Sequence, residues 1–258
     1  MQCVILCGGL GTRMREETEF RPKPMVKIGE RPILWHIMKH YASHGIREFV
    51  LGLGYKGEMI RDFFLRYEYL NSDVTIELGK PDEVVVHGKH DEIGWKITLA
   101  DTGEQTLKGA RLKLVERYVE GDTFMMTYGD GVSDIDLGKL LAFHRSHGKI
   151  GTVTGVSPTA RFGELDIAGD RVQAFAEKPK TQEGHVNGGF FVFDRRFFKY
   201  LSPNPDCDLE YGALEKLAHD SELMVYRHDG FWACMDTLRD VDFLNDLWRR
   251  QEAPWKTW

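Results

Sequence analysis

A short apolar run, Gln2-Cys3-Val4-Ile5-Leu6, leads straight into the glycine cluster Gly8-Gly9-Leu10-Gly11-Thr12-Arg13. A continuous apolar run predicts a strand buried on both faces, the kind found in parallel sheets covered by helices. A glycine-rich turn at the end of such a strand exposes backbone N–H groups and lets a phosphate approach closely. Arg13 adds a planar cation suited to phosphate oxygens. The plainer alternative is a tight strand-to-helix turn with a surface arginine. Two common phosphate loops do not fit. A P-loop ends in Gly-Lys-Ser/Thr, which is missing. A dinucleotide fingerprint needs a third glycine where Met14 stands, and an acid after the second strand where Leu53-Gly54-Tyr55 offers none.

Strand and helix patterns alternate through the first half. Glu48 to Leu53, Thr123 to Tyr128 and Gly151 to Val156 read as buried strands. Pro32 to His44 has helical apolar spacing, with Pro32 at a plausible first helical position and Gly45 just past the end. Met59 to Leu70 and Leu137 to His147 read as helices. This order predicts an α/β fold with a parallel sheet and helices on both faces. Ligands in such folds bind at strand carboxyl ends, so the loops after Leu6 and Tyr128 are expected on one edge of the sheet. The second half is more mixed. Val74 to Leu78, Val84 to Val86, Trp95 to Leu99, Val172 to Ala176 and Gly188 to Phe193 read as strands, and Glu210 to Ala218 and Thr237 to Arg250 as helices. No repeat or long linker divides the 258 residues, so one domain spanning 1–258 is expected.

The net charge of −6 argues against a nucleic-acid partner, which would face a basic surface. No apolar run nears the ~20 residues that span a bilayer, and the N-terminus lacks a basic n-region, so no membrane association is expected. The four cysteines, Cys3, Cys7, Cys207 and Cys234, form neither a disulfide framework nor a zinc pattern. A cytoplasmic protein with reduced thiols is the expectation.

Several other groups could carry chemistry. Lys23 stands between Pro22 and Pro24, a stiff mount for a cation. Asp130, flanked by Gly129 and Gly131 after an apolar strand, is placed like a carboxylate that presents to Mg²⁺ on a phosphate. Asp236 follows an apolar segment and precedes a helix, so it fits either a metal ligand or a helix N-cap. Glu177-Lys178 and Asn187-Gly188-Gly189 offer an acceptor, a cation and an amide for sugar hydroxyls and phosphate. His36, His40 and His44 share one helical face with no acid at ligand spacing, so a solvated or interface stripe is expected there rather than a metal. Cys3 and Cys7 are expected as small core residues.

In order along the chain, GGLGTR at 8–13, PKPM at 22–25, YGDG at 128–131, FGELDI at 162–167, EKP at 177–179 and NGGFFVF at 187–193 resemble the sugar-1-phosphate nucleotidyltransferases. The ordered set covers almost the whole chain. The resemblance implies a Rossmann-like, mixed but mostly parallel sheet flanked by helices, the nucleotide-diphospho-sugar transferase fold. It implies a nucleotide-binding part at about 1–130 and a sugar-phosphate-binding part at about 131–258. By that likeness Asp130 and Asp236 would bind Mg²⁺, and Arg13, Lys23 and Asp130 would act in catalysis. Leu6, Gly8, Gly9, Leu10, Gly11, Thr12, Arg13, Lys23, Thr102, Gly103, Arg111 and Gly129 would surround the nucleotide. Gly163, Glu177, Lys178, Asn187 and Gly188 would surround the sugar phosphate. SDVTIE at 72–77, KITLADTG at 96–103, GARLKLV at 109–115, MDTLRD at 235–240 and APWKTW at 253–258 resemble the branch that joins CTP to glucose 1-phosphate, releasing CDP-glucose and pyrophosphate. That likeness also implies a homo-oligomer and a role in dideoxyhexose supply for lipopolysaccharide O-antigen. Uridylyl or thymidylyl transfer, and a non-catalytic sugar-nucleotide-binding subunit, are the alternatives.

Overall fold

Strand β1 (Gln2–Cys7) lies inside a seven-stranded sheet, paired in parallel with β4 (Glu48–Leu53) on one side and β8 (Thr123–Tyr128) on the other. The computed structural model describes residues 1–80, 83–88, 90–157, 164–168, 171–176 and 185–258. Beyond β4 the sheet ends in β7 (Lys96–Asp101), again parallel. Beyond β8 comes β13 (Val186–Asp194), antiparallel to both neighbours, and then β10 (Gly151–Val156) and the edge strand β14 (Leu223–His228). The sheet is mixed and mostly parallel, as the resemblance implied. The strand expected over Trp95 to Leu99 is β7 of the main sheet, running from Lys96 to Asp101.

Alternation along β1 explains its all-apolar run. Cys3, Ile5 and Cys7 face one core, with Ile33, Ile37 and Tyr41 of helix α2 (Ile33–Ser43). Val4 and Leu6 face a second core, with Leu112 of α5 (Lys108–Leu114) and Phe191, Phe193 and Phe197. Successive side chains of a strand point to opposite faces, so both sets must be apolar. Cys3 and Cys7 are buried core residues, as expected. Helix α6 (Leu137–His147) and α8 (Leu238–Arg249) add to the first side, and α7 (Glu215–His219) to the second. Smaller pieces fringe this frame: α1 (Arg15–Thr18), the pair β2 (Lys27–Ile28) and β3 (Arg31–Pro32), the hairpin β5 (Asp73–Ile76) and β6 (Val84–His87), and the hairpin β11 (Glu164–Ala168) and β12 (Arg171–Ala176).

Three expectations are corrected. Pro32 caps α2 from an extended conformation rather than occupying its first turn. The helix expected over 59–70 is two, α3 (Gly57–Leu65) and α4 (Tyr67–Asn71), broken at Arg66. The helix expected from Glu210 begins only at Glu215, because Tyr211 and Gly212 leave helical geometry, Gly212 at φ 145°.

The histidine stripe of α2 is corrected too. His36 and His40 are buried, and only His44 is partly exposed. His36 Nε2 lies 2.9 Å from the Ile28 carbonyl oxygen, while Trp255 Nε1 donates to His36 Nδ1 at 3.4 Å. One nitrogen donates and the other accepts, which is the pattern of a neutral imidazole. Burial pushes the pKa of both His36 and His40 down to about 4. Trp255 is fully buried against His36 and Phe231, so the last residues of the sequence pack into the first core.

Candidate active site

Because β1 and β8 are adjacent and parallel, their exits meet: the Gly129 amide donates to the Leu6 carbonyl oxygen at 3.2 Å. A β-carbon on Gly129 would lie 2.8 Å from Pro24 Cγ and 3.3 Å from that carbonyl, so the close approach requires glycine. This join sets Gly8–Arg13, Lys23 and Asp130 side by side. Gly9, Leu10, Thr12 and Arg13 are exposed on the loop, while Leu6 and Gly8 are buried at its foot. Gly11 takes a left-handed conformation, φ 63°, with Lys23 Cβ beside it.

Asp236 reaches the same place by a non-local pairing. Strand β15 (Trp232–Cys234) runs antiparallel to β9 (Gly131–Ser133), with Cys234 opposite Gly131. The ladder continues as the Met235 amide donates to the Asp130 carbonyl oxygen at 2.8 Å. The two aspartates therefore converge. Lys23 Nζ bridges them, 2.6 Å from Asp130 Oδ2 and 2.5 Å from Asp236 Oδ1, and Arg13 Nη1 donates to Asp236 Oδ2 at 2.7 Å. Burial works against the Lys23 ammonium, but the two carboxylates outweigh it and raise its pKa. The N-cap of α8 is Thr237, in a capping box with Asp240. The cap role open to Asp236 in the sequence thus belongs to its neighbour, and its carboxylate faces the cations.

Cys234, which sequence reasoning gave no part here, offers its Sγ within 4.8 Å of carboxylate oxygens of Asp130 and Asp236. Burial, then the Asp130 charge, pushes its thiol pKa up. These three are the one group of potential metal ligands among the described residues. Two converging carboxylates suit a hard divalent cation, and a protonated thiol adds little for one.

Arg111 and Thr102 lie beneath the loop rather than on its surface. Arg111 is buried, donating from Nη1 to the Leu53 carbonyl at 2.7 Å and from Nη2 to the Thr106 carbonyl at 2.8 Å. Its guanidinium runs under Gly8 and Gly54 and its aliphatic stem under Gly52, where β-carbons would meet them. Thr102 is also buried, its hydroxyl donating to the Leu53 carbonyl at 2.5 Å. Gly103 is exposed next to them, at φ 84°.

On the other side of Asp130, Asn187 is exposed and Gly188 buried at the start of β13. The Gly188 carbonyl accepts from Trp232 Nε1 at 2.7 Å, a contact no local pattern announces. Gly163, Glu177 and Lys178 lie outside the described residues.

A mostly parallel sheet whose central strand ends in a glycine loop, next to a Lys-bridged aspartate pair, defines a phosphate-handling α/β protein. The chain belongs to the Nucleotidyl transferase family, which matches residues 2–249. It is 48% identical to the glucose-1-phosphate cytidylyltransferase of Salmonella typhimurium, over the full length of both chains. Among solved structures it is similar to the inositol-1-phosphate CTP transferase of T. maritima, with TM-score 0.67, 14% identity, and 99% of this chain and 96% of that one covered. It is equally similar to a UDP-glucose pyrophosphorylase complexed with UDP-glucose, with TM-score 0.67, 14% identity, and 97% and 98% covered. At such identities these two structures speak for the fold alone.

Proposed function

We propose that this chain is a glucose-1-phosphate cytidylyltransferase: it joins CTP and α-D-glucose 1-phosphate to give CDP-glucose and pyrophosphate. The full-length identity to the Salmonella enzyme supports the substrates. The observation that carries the chemistry is the Lys23 ammonium bridging Asp130 and Asp236 at the foot of the Gly8–Arg13 loop.

The nucleophile is an oxygen of the sugar phosphate, already an anion at neutral pH, so no general base is needed. That oxygen bonds to the α-phosphorus as the bond to the β-phosphate bridge breaks. The barrier lies in bringing polyanions together and in the charge on departing pyrophosphate, so catalysis is positioning and neutralisation. Backbone N–H groups of the Gly8–Thr12 loop cradle the triphosphate, and Arg13 neutralises its pyrophosphate end. Lys23 reaches the reacting phosphates, and Asn187 and Gly188 border the sugar. By the resemblance we also assign Gly163, Glu177 and Lys178 to the sugar phosphate. The cofactor we propose is Mg²⁺ on Asp130 and Asp236, which would supply charge neutralisation at the α-phosphate. Residues to about 130 would then serve the nucleotide, and those beyond it the sugar phosphate.

No helix among the described residues is long and apolar enough to cross a membrane. A cytoplasmic setting fits the four free thiols. We also propose a homo-oligomer. The exposed Leu65, Tyr69, Leu70, Ile76, Leu78 and Val85 on α3, α4 and the β5–β6 hairpin support one. From the family resemblance we also propose a place in dideoxyhexose supply to surface polysaccharide.

The test is pyrophosphate release from glucose 1-phosphate with CTP, UTP, dTTP, ATP and GTP in Mg²⁺ buffer. CTP is expected to dominate. A preference for UTP or dTTP would overturn the base assignment, and no release with any of them would leave a non-catalytic sugar-nucleotide-binding subunit.

A further inference from the structure

Glu210 sits where three elements of the site meet. Its Oε1 accepts a 2.8 Å hydrogen bond from the Tyr128 hydroxyl and is ion-paired with Lys108. Lys108 Nζ also lies 5.1 Å from the Tyr128 ring centroid. The same hydroxyl accepts from Asn187 Nδ2 at 3.5 Å, while Asn187 Oδ1 accepts from the Gly189 amide at 2.9 Å. Tyr128 closes β8 two residues before Asp130, Lys108 opens the helix that carries Arg111, and Asn187 stands on β13.

The backbone holds Glu210 at this point. The Leu107 amide donates to the Pro205 carbonyl at 2.8 Å and the Ala110 amide to the Cys207 carbonyl at 2.9 Å, docking 205–208 on the start of α5. Asp208 Oδ1 accepts from the Tyr211 amide at 2.7 Å, and the chain then breaks helical geometry at Tyr211 and Gly212.

We infer that Glu210 is a positioning residue for the transfer reaction, fixing the Tyr128 hydroxyl and through it the amide of Asn187 on the sugar side. The inference rests on the reading of Asn187 as part of the sugar-phosphate side. With Glu210 charged, the Tyr128 hydrogen is committed to the carboxylate, so its lone pair faces Asn187 Nδ2 and adds a second anchor to the orientation the Gly189 amide sets at Oδ1. Without the carboxylate, the hydroxyl no longer holds its lone pair towards Nδ2, and the Asn187 side chain keeps the Gly189 contact alone. Arg111 keeps its own acceptors, so the nucleotide loop is left in place.

The test compares Glu210→Ala, Tyr128→Phe and the double variant in steady-state kinetics with CTP, glucose 1-phosphate and Mg²⁺. Each single change is expected to raise KM for glucose 1-phosphate on the order of fivefold to tenfold, the effect of one hydrogen bond. KM for CTP should stay within about twofold, and the double variant should be no worse than the poorer single, because both act by one route. Glu210→Asp should recover part of the loss. Parallel rises in both KM values, additive losses, or a fall in Tm with unchanged KM would overturn the inference and leave Glu210 a structural brace. A wild-type protein that does not turn over this substrate pair sinks the functional reading, and the inference with it. A working wild type with unaltered variants sinks the inference alone.

Discussion

The Arg111 guanidinium occupies the space a side chain on Gly8 would need: a β-carbon there would lie 2.0 Å from Arg111 Cζ. The two residues are thus one device, a glycine loop laid over a buried cation that four protein oxygens hold.

Gly8→Ala should therefore act on stability and on the nucleotide together. Forcing a methyl against a packed guanidinium costs roughly 1–3 kcal/mol. For a chain of this size that is a Tm fall of roughly 2–12 °C. KM for CTP should rise while KM for glucose 1-phosphate changes less. Thermal melts and two-substrate kinetics read both effects, and a variant with unaltered Tm and CTP affinity would contradict the geometry.

Asp130→Asn should leave the fold intact and lower turnover by about 10³-fold or more, since it removes one of two converging carboxylates from the charge centre. Circular dichroism and pyrophosphate release at ordinary Mg²⁺ are the measurements. Wild-type-like turnover would remove Asp130 from the metal site.

Lys23→Met leaves Asp130 and Asp236 facing each other without the ammonium that bridges them. Like charges this close repel, so the Tm measured in EDTA should drop. Added Mg²⁺ should restore more of the Tm in the variant than in the wild type. Turnover should fall on the order of 10²-fold, the scale of one lost charge-stabilising donor. An equal Mg²⁺ response in both proteins would argue against a shared site for the two cations.

Acid should destabilise the protein before its carboxylates titrate. His36, His40 and His144 are buried, and burial holds each pKa down at about 4, against 6.5 for the free side chain. Their folded pKa values lie below the unfolded ones. The stability tied to their neutral forms is therefore complete above pH ~6.5 and is lost as pH falls towards 4. Each proton taken up on unfolding contributes a slope of about 1.4 kcal/mol per pH unit. Denaturant unfolding between pH 7 and 5 should show a slope approaching that of three protons, and a flat profile would mean that these rings are already solvated.

What the sequence shows and what it hides divides along contact range. The apolar runs of β1 and β8 and the glycines after them are local signals, and they place Gly8–Arg13 and Asp130 at neighbouring strand ends without further information. The pairing of Trp232–Cys234 with Gly131–Ser133 is not local, so Asp236 could be read as a cap just as well as a ligand. The cap itself is a local signal, Thr237 and Asp240 at capping-box spacing, whereas only the tertiary ladder brings Cys234 beside the carboxylates. The buried histidines of α2 misled for a similar reason. Imidazoles on one helical face look solvated until Trp248, Trp255 and Trp258 close over His36.

The reversed strand β13 gives the molecule a timetable. β8 becomes an interior strand only when residues 186–194 hydrogen-bond along its free edge. While the chain grows on the ribosome, Phe124, Met125 and Met126 therefore sit on an unpaired edge, although every residue of the Gly8–Arg13 loop has already been made. A nascent chain stalled shortly after Asp130 should be a holdase client and bind no nucleotide, and one extended past Asp194 should begin to shed its chaperones.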